Sequence, residues 1–358
     1  MVRIVTYNIL STQLASPDYH IHCESKHLET EYRWEGIRKT LFTEIDNGAI
    51  ICLQEVSTQW LEKLTPFFAS HQYNIIGGTY GYAPFDGDMG VFIAYPLKSF
   101  KLESLRLSKP RREIKKCATK ILQSRLMMLF NYICGMIMYF SKFPILRSLP
   151  LKDRLLKMIA KKEDPWQKAM SKDNLLVMCR FTEIVNDKAF CVATYHMPCQ
   201  FTNPSLMLIH SSFVVRMISN FAGDDPFAFA GDFNLKQTDL GYKMITEGGF
   251  DYNQTVERSS DFDIQWDVGV TNPLKSAYKE FTCKEPNFTN FSHVKGSSQF
   301  KDCIDYIFLS QGWKVDGVIP LLEETIGESY PNEDQPSDHI MIGADLSLIN
   351  QKFVLHML

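Results

Sequence analysis

Polar side chains that can bind metal ions or transfer protons follow or precede short apolar runs along the whole chain. In chain order they are Asn8, Glu55, His196, Asp232, Asn234, Asp305, Asp338 and His339. Carboxylate and amide oxygens are hard ligands that suit Mg²⁺. A further carboxylate can align or deprotonate a water, and imidazoles can donate hydrogen bonds to a phosphate. The set therefore predicts metal-assisted hydrolysis of a phosphate ester.

Taken singly, each of these residues has an ordinary structural explanation. Glu55 alone would be a solvated charge at a strand end, and His196 alone a hydrogen-bonded packing histidine. Asp232 and Asn234 alone would be turn residues after a strand. Only their joint occurrence, in this order, favours a catalytic site.

The elements that must position these residues are visible in the apolar pattern. Strands are predicted at Val2–Tyr7, Ala49–Leu53, Gly90–Tyr95, Leu175–Val185, Ala189–Tyr195, Phe227–Ala230, Cys303–Leu309 and Ile340–Leu346. Helices are predicted at Trp34–Asn47, Gln59–Ser70 and Ser205–Asn220. Short buried strands that alternate with helices predict α/β or α+β packing around sheet layers. We expect one domain over residues 1–358, with the catalytic groups in loops at the strand ends.

Composition narrows the class of protein. The 358 residues are 45% hydrophobic and 22% charged, which is typical of a globular chain and excludes a disordered or fibrous one. Nine cysteines without a CxxC motif indicate neither a zinc site nor a disulfide framework. The first residues lack the pattern of a signal peptide. The longest uncharged apolar run, Leu126–Phe140, is shorter than the roughly 20 residues of a membrane span, so we expect a cytoplasmic protein.

The segment from about 101 to 165 interrupts the alternation of strands and helices. Between Lys98 and Lys168 there are 18 Lys and Arg against 5 Asp and Glu, a net charge of +13 in a chain of net charge −3. We predict a basic, helical insertion here. Three roles stay open: its basic residues contact a nucleic-acid backbone, Leu126–Phe140 lies on an anionic membrane, or the segment is a hairpin packed on the core.

The ordered motifs resemble those of the endonuclease/exonuclease/phosphatase superfamily. That family has an Asn at the end of its first strand, LQE, a mid-chain His, GDFN, a D-Y pair and SDH. Here they are Asn8, Leu53-Gln54-Glu55, His196, Gly231-Asp232-Phe233-Asn234, Asp305-Tyr306 and Ser337-Asp338-His339. Tyr32-Arg33-Trp34 and Ser171-Lys172-Asp173-Asn174 resemble the branch of nocturnin and the carbon-catabolite-repression-type deadenylases. The resemblance implies a four-layer sandwich of two mixed β-sheets flanked by helices.

The resemblance also implies a role for each site residue. Glu55 would be the principal ligand of Mg²⁺, or of Mn²⁺ as a substitute, with Asn8 and Asp338 as further metal residues. The implied catalytic residues are Asp232 for the water, Asn234, His196 and His339 for the phosphate oxygens, and Asp305 or Asp338 to orient His339. The implied substrate-binding residues are Asn174, Asn290 and Phe300.

The expected function is therefore that of a Mg²⁺-dependent phosphodiesterase, a 3′ exoribonuclease or a nucleotide phosphodiesterase, with RNA or a nucleotide as substrate. The alternative is a membrane-docked lipid phosphodiesterase or phosphatase, similar to sphingomyelinases or phosphoinositide phosphatases. An inactive scaffold is disfavoured because the motif set is complete. Two departures from the branch are the missing Asn before His196 and an insertion at His293–Gln299. The sequence does not indicate an oligomeric state.

Overall fold

The computed structural model describes residues 1–81, 89–120, 164–248, 255–259 and 261–349. The strands are β1 (Val2–Asn8), β2 (Ile50–Gln54), β3 (Tyr73–Tyr80), β4 (Met89–Pro96), β5 (Phe100–Ser108), β6 (Ala118–Lys120), β7 (Leu176–Glu183), β8 (Lys188–His196), β9 (Phe227–Asp232), β10 (Phe262–Ile264), β11 (Lys275–Ser276), β12 (Asn290–Ser292), β13 (Phe300–Asp302), β14 (Asp305–Leu309), β15 (Trp313–Val318) and β16 (Ile342–Leu348). The helices are α1 (Ser25–Leu28), α2 (Thr30–Asp46), α3 (Thr58–Ser70), α4 (Pro110–Lys116), α5 (Pro165–Ala169), α6 (Pro204–Ala222), α7 (Leu240–Thr246) and α8 (Ala277–Thr282).

Two six-stranded mixed sheets form the centre of the fold. The first has the strand order β15-β16-β1-β2-β4-β3, and the second has the order β11-β14-β9-β8-β7-β5. Each sheet contains one parallel pair, β1 with β2 and β8 with β9, and its other neighbours are antiparallel. The hairpin of β12 and β13 and the pair of β6 and β10 stand outside these sheets.

The sheets pack face to face, and helices cover their outer faces. Val2 and Ile4 of β1 point into a core shared with residues of the second sheet, such as Val192 and Ala230. The alternate position Val5 faces the residues of α2 and α3. Because both faces of the central strands are covered, these strands are apolar at nearly every position. The fold is thus the predicted four-layer α/β sandwich.

Two buried hydrogen bonds of one side chain connect the two sheets near the ends of β1, β2 and β8. Gln54 accepts a hydrogen bond from the Thr6 hydroxyl at 3.1 Å and donates one to the Thr194 hydroxyl at 2.9 Å. All three side chains are fully buried. The amide therefore joins β1 and β2 of the first sheet to β8 of the second, and it fixes their relative position where the site residues emerge.

The insertion predicted from about 101 to 165 does not begin at 101. Phe100–Ser108 is the edge strand β5 of the second sheet, paired with β7. A register shift between Leu102 and Ser104 breaks the period of two in this strand, so its sequence did not show the strand pattern. Residues 109–120 contribute α4 and β6. Residues 121–163, including Leu126–Phe140, lie outside the described part of the chain.

Helix α6 is the one described helix that is long and apolar enough to cross a bilayer. In this structure 67% of an 18-residue apolar stretch of the helix is buried. Its residues Leu206, Ile209 and Phe213 belong to the core beneath the second sheet. Core helices of globular domains commonly have this composition, so α6 is weak evidence for a membrane span.

We expect Gln54→Leu to lower the free energy of unfolding by about 2–4 kcal/mol, because the Thr6 and Thr194 hydroxyls would lose their buried partner. Urea unfolding followed by circular dichroism measures the change. The control is Gln59→Leu, an exposed position in α3, which should change stability by less than about 0.5 kcal/mol. Equal effects at both positions would show that the bridge between the sheets contributes nothing.

Candidate active site

The site lies where the carboxyl ends of both parallel pairs meet. In register, Asn8 of β1 lies beside Gln54 of β2, and His196 of β8 lies beside Asp232 of β9. Asp305 begins the antiparallel neighbour β14 directly opposite Asp232. Parallel strands that end together place their last side chains at one edge of the sheet. Residues more than 300 positions apart in sequence are thereby brought into one cleft.

The side-chain amide of Asn8 is the centre of this cleft. Its Nδ2 lies 3.1 Å from Glu55 Oε1, 3.0 Å from Asp232 Oδ2 and 3.4 Å from His339 Nε2. Its Oδ1 accepts the backbone N–H of Leu10 at 3.0 Å. The amide therefore donates to two carboxylates, and its oxygen does not face them. Asn8 thus positions the carboxylates through its nitrogen in this structure, and the role of its oxygen as a metal ligand stays a prediction.

Asp232 is buried and faces both imidazoles of the site. Its Oδ2 lies 3.5 Å from His196 Nε2 and 3.6 Å from His339 Nε2. Its Oδ1 accepts the backbone N–H of Asn234 at 2.9 Å. Burial raises the pKa of Asp232, and the nearby charge of Asp305 raises it further, against the opposing effect of the two histidines. A carboxylate with a raised pKa is a stronger base for a water proton.

His339 is held by a carboxylate on its other ring nitrogen. Its Nδ1 lies 2.8 Å from Asp305 Oδ2, and the same oxygen accepts the Thr289 hydroxyl at 2.6 Å. Burial disfavours the charged imidazole, but Asp305, Asp232 and Asp338 outweigh this and raise the pKa of His339 well above its ordinary value. These carboxylates therefore favour the cationic form of His339. Of the two predicted orienting carboxylates, Asp305 is the one in contact with His339.

Three residues in the loops of the site have a positive φ angle, a backbone conformation that residues other than glycine seldom adopt. Leu10, Glu55 and Asn234 have φ angles of 50°, 57° and 48°. Each such residue costs free energy, and strain of this kind concentrates at functional sites. Gly231, next to Asp232, allows close contact with strand β8, because a Cβ there would lie 2.1 Å from the Tyr195 carbonyl oxygen.

Arg33 joins two of the site loops from below. Its guanidinium is fully buried and donates to the carbonyl oxygens of Pro336 at 2.7 Å, Leu10 at 2.7 Å and Ile9. Burial lowers its pKa to about 10, so the group stays charged at neutral pH. Ser337, one residue from this contact, donates its hydroxyl to the Asn8 carbonyl oxygen at 2.7 Å. The loop after β1 and the loop before β16 are thus fastened to each other.

The remaining predicted residues lie around this centre. Asp338 is half-buried, and its Oδ2 accepts the Asn290 side-chain amide at 3.3 Å. These contacts place Asp338 beside Asn290 and His339, without a hydrogen bond to Glu55 or Asp232. Asn290 is itself buried, so its amide positions the loop of Asp338 in this structure.

The other two predicted substrate residues differ in their surroundings. Asn174 donates its amide to the His196 carbonyl oxygen at 2.8 Å, so it lies next to the catalytic strand end. Phe300 is half-buried in β13, and the ammonium group of Lys236 lies 4.9 Å from the centre of its ring.

Three functional positions escaped the sequence analysis. Tyr80, Thr289 and Arg33 contact His196, Asp305 and the site loops respectively. Arg33 lies inside a motif that was quoted only for its resemblance, and Thr289 directly precedes the predicted substrate residue Asn290. Tyr80 ends β3, a strand that was not predicted because Gly77 and Gly78 interrupt its β-branched pattern.

The oxygen donors of the cleft suit a hard divalent cation. Two carboxylate oxygens, one on Glu55 and one on Asp232, lie within 3.1 Å of the same Asn8 nitrogen, so they face a common point. Among the described residues, the ligand atoms of Asp232, Asp305 and His339 also lie within 4.8 Å of one another. Because Asp305 and His339 are hydrogen-bonded to each other, the fit is better at Glu55 and Asp232. These residues fit the cation that the resemblance implies.

Comparison with known proteins gives matches along nearly the whole chain. The Endonuclease/Exonuclease/phosphatase family model matches residues 204–339. The CCR4-Not complex 3′-5′-exoribonuclease subunit Ccr4 of Candida glabrata is 24% identical over 94% of this chain and 36% of its own length. The subunit of the same name from Saccharomyces cerevisiae is 24% identical over 94% of this chain and 37% of its own length. The chain thus spans little more than a third of these relatives.

Two solved structures share the fold. ANGEL2, a 2′,3′-cyclic phosphatase solved with adenosine-2′,3′-vanadate, gives a TM-score of 0.66 at 19% identity over 97% of this chain and 95% of its own. The human Nocturnin catalytic domain with bound sulfate gives 0.61 at 16% identity over 97% and 94%.

Strand order, the convergent site and these matches agree with one another. Residues 204–339 match the endonuclease/exonuclease/phosphatase family, and the comparisons support a hydrolase that acts on phosphoric esters. Within the superfamily, its similarity is to the branch that contains the Ccr4 exoribonuclease subunits and nocturnin. The prediction of the family from its motifs is confirmed.

We expect Arg33→Leu to lower the free energy of unfolding by at least about 3 kcal/mol, because the carbonyl oxygens of Ile9, Leu10 and Pro336 would lose a charged donor. Denaturant unfolding measures this change. The control is Arg38→Leu, since the Arg38 side chain is 49% exposed and pairs only with Glu35 three residues away; it should cost about 0.5 kcal/mol or less. A small loss at both positions would contradict the role assigned to Arg33.

Proposed function

We propose that residues 1–358 act as a single catalytic domain, a divalent-metal-dependent phosphodiesterase that removes nucleotides from the 3′ end of RNA. The observation that carries this proposal is the approach of Glu55 and Asp232, from different sheets, to one amide nitrogen, with two imidazoles facing Asp232. The names of the curated relatives, 3′-5′-exoribonuclease subunits, support RNA as the substrate.

Glu55 would hold the cation, and Mg²⁺ suits its hard oxygens, with Mn²⁺ as a substitute. When bound, the cation supplies Lewis-acid stabilisation of charge on a phosphoryl oxygen. Glu55 is fixed for this role because the backbone N–H of Ser11 donates to its other oxygen, Oε2, at 3.0 Å. Asn8 holds the two carboxylates together although their charges repel.

Asp232 and the groups around it have different roles in hydrolysis of the phosphate ester. The Asp232 carboxylate, with its raised pKa, aligns and deprotonates the attacking water. In its cationic form His339 binds a phosphoryl oxygen and offsets the negative charge that grows there in the transition state. His196 donates a hydrogen bond from the opposite side of the cleft. The Asn234 amide donates one N–H to the Met197 carbonyl oxygen at 2.9 Å, and its second N–H would donate to a phosphoryl oxygen.

The membrane-docked alternative depends on Leu126–Phe140, which lies outside the described residues, so no structural observation favours it. The structural similarity to ANGEL2, a 2′,3′-cyclic phosphatase, makes RNA with a cyclic phosphate end a useful second substrate in the assays. A cytoplasmic location stays a prediction from the sequence.

We expect Glu55→Gln to reduce hydrolysis of oligoadenylate RNA in the presence of Mg²⁺ by about a hundredfold or more, because the metal loses a charged ligand. The change keeps the shape of the side chain, so thermal unfolding should stay close to that of the unmodified chain. The control, Glu62→Gln, alters an exposed residue of α3 and should leave the rate unchanged.

The same assay tests the substrate class. RNA, RNA with a 2′,3′-cyclic phosphate, DNA, a dinucleotide, sphingomyelin and a phosphoinositide are compared, each with the unmodified chain and with Glu55→Gln. We expect the highest Glu55-dependent rate on RNA. A higher rate on either lipid would contradict an exoribonuclease and support the lipid phosphodiesterase.

Phe300 provides a test of base recognition. A base stacked on an aromatic ring contributes about 1–3 kcal/mol to binding. We therefore expect Phe300→Ala to raise KM for RNA about tenfold while leaving kcat/KM for bis-p-nitrophenyl phosphate nearly unchanged. Phe281→Ala, an exposed phenylalanine in α8, serves as the control. An equal loss on both substrates would show that Phe300 has only a packing role.

A further inference from the structure

Strand β5 of the second sheet ends at the same edge as the catalytic strands. One row of paired residues crosses four neighbouring strands there: Ser108 of β5, Leu176 of β7, Tyr195 of β8 and Gly231 of β9. β5, β8 and β9 run in the same direction, so the residues that follow this row, Lys109, His196 and Asp232, all lie at this edge. Neighbouring strands are about 4.8 Å apart, which places the backbone of Lys109 about 14 Å from that of Asp232.

Lys109 begins a strongly basic segment. Residues 109–116 contain five Lys and Arg residues and one Glu. Two of the cations share one carboxylate, because Lys109 Nζ and Arg111 Nη1 both lie 2.9 Å from Oδ1 of Asp173. The three charges do not cancel, so this cluster keeps one positive charge. A cluster with an excess of positive charge attracts a further anion.

The shared carboxylate holds the cluster beside the active site. Asp173 directly precedes Asn174, whose side-chain amide donates to the His196 carbonyl oxygen at 2.8 Å. The Lys109 and Arg111 side chains are 26% and 30% exposed, so they are ordered by Asp173 and still reach solvent. The cleft itself is lined by carboxylates, which repel a polyanion. Positive charge at its edge is therefore what a polyanionic substrate needs in order to approach the cleft.

The composition of helix α4 distinguishes between two polyanions, RNA and an anionic membrane. A helix that binds a membrane interface presents apolar side chains beside its basic ones. The two apolar residues of α4, Pro110 and Ile114, are both buried, and Ile114 belongs to the core beneath the second sheet. The exposed residues of the helix are Arg112, Lys115 and Lys116. Because α4 offers charge without an apolar face, it favours RNA.

We propose that Lys109 and Arg111 bind phosphates of single-stranded RNA on the 5′ side of the scissile bond. The inference rests on the proposed function, in which the 3′ end of the RNA lies in the cleft. At about 3.4 Å per stacked nucleotide, the 14 Å between cleft and cluster corresponds to about four nucleotides. A dinucleotide would therefore fill the cleft without reaching the cluster, and longer RNA would bind more tightly.

The test measures binding separately from hydrolysis. The full chain carries Glu55→Gln so that RNA is not consumed, and labelled oligoadenylate of about 20 nucleotides, longer than a typical single-strand site, is titrated by fluorescence anisotropy at several salt concentrations. Each phosphate contact to a single strand contributes about 0.7 to the slope of log K against log salt concentration. We expect Lys109→Gln with Arg111→Gln to reduce this slope by about 1.4 and to weaken binding about tenfold at about 100 mM salt. Arg111→Gln alone, which leaves Lys109 on Asp173, should reduce the slope by about 0.7.

Lys98→Gln with Lys101→Gln is the matched control. It also removes two exposed positive charges, but these lie at the start of β5, at the opposite edge of the sheet, so the slope should not change. Equal slopes for the two double variants would overturn the proposal. So would loss of binding to phosphatidylserine vesicles in the Lys109 and Arg111 variant while its RNA binding is unchanged, because the surface would then bind a membrane.

The same measurements separate this proposal from the proposed function. If the unmodified chain hydrolyses RNA but the slope does not depend on Lys109 and Arg111, the binding surface alone is wrong. If RNA is bound through these two residues but is not hydrolysed by the unmodified chain, the exoribonuclease activity alone is wrong. Absence of RNA binding in every variant would overturn both.

Discussion

The side-chain amide of Asn8 holds together two carboxylates, those of Glu55 and Asp232, that would otherwise repel each other. Glu55 comes from the first sheet and Asp232 from the second, and their charges repel in a buried cleft where water does not screen them. The Nδ2 group of Asn8 donates to both, at 3.1 Å and 3.0 Å. A divalent cation would later take over part of this neutralisation, but the amide sets the geometry beforehand. The packing of the sheets, the loop after β1 and the SDH loop all serve to keep Asn8 in place.

Two basic side chains lie near this centre, one inside the cleft and one beneath it. His339 lies inside the cleft, where the contact with Asp305 favours its cationic form. Arg33 lies beneath it, donates only to backbone carbonyl oxygens, and still interacts electrostatically with Glu55 and Asp338. A buried guanidinium without a carboxylate partner is costly. It is tolerated here because it joins two loops that the catalytic groups need in a fixed position, and because it lies below a strongly negative cleft.

Much of this arrangement could be predicted from the sequence, and the exceptions have physical causes. The sequence predicted β1, β2, β8 and β9 because these strands are buried on both faces and their sequences are continuous apolar runs. Glu55, His196 and Asp232 were then predicted as site residues because they lie at or next to the ends of these strands. β5 was missed because a bulge broke its alternation, and Tyr80 because two glycines interrupt β3. The orientation of the Asn8 amide depends on the Leu10 N–H, a contact that no residue pattern encodes. Arg33 was missed because charged residues are ordinarily expected at the surface.

The position of β1 within the first sheet has a consequence for biosynthesis. β1 lies between β2 and β16, and its first residue, Val2, pairs with Leu346. While the chain emerges from the ribosome, one side of this strand lacks a partner until nearly 350 residues have been made. Unpaired apolar strand edges are prone to aggregate in partly folded chains. This edge therefore stays exposed until β16 has been synthesised, and enzymatic activity can arise only once β16 closes the sheet and brings His339 to Asn8.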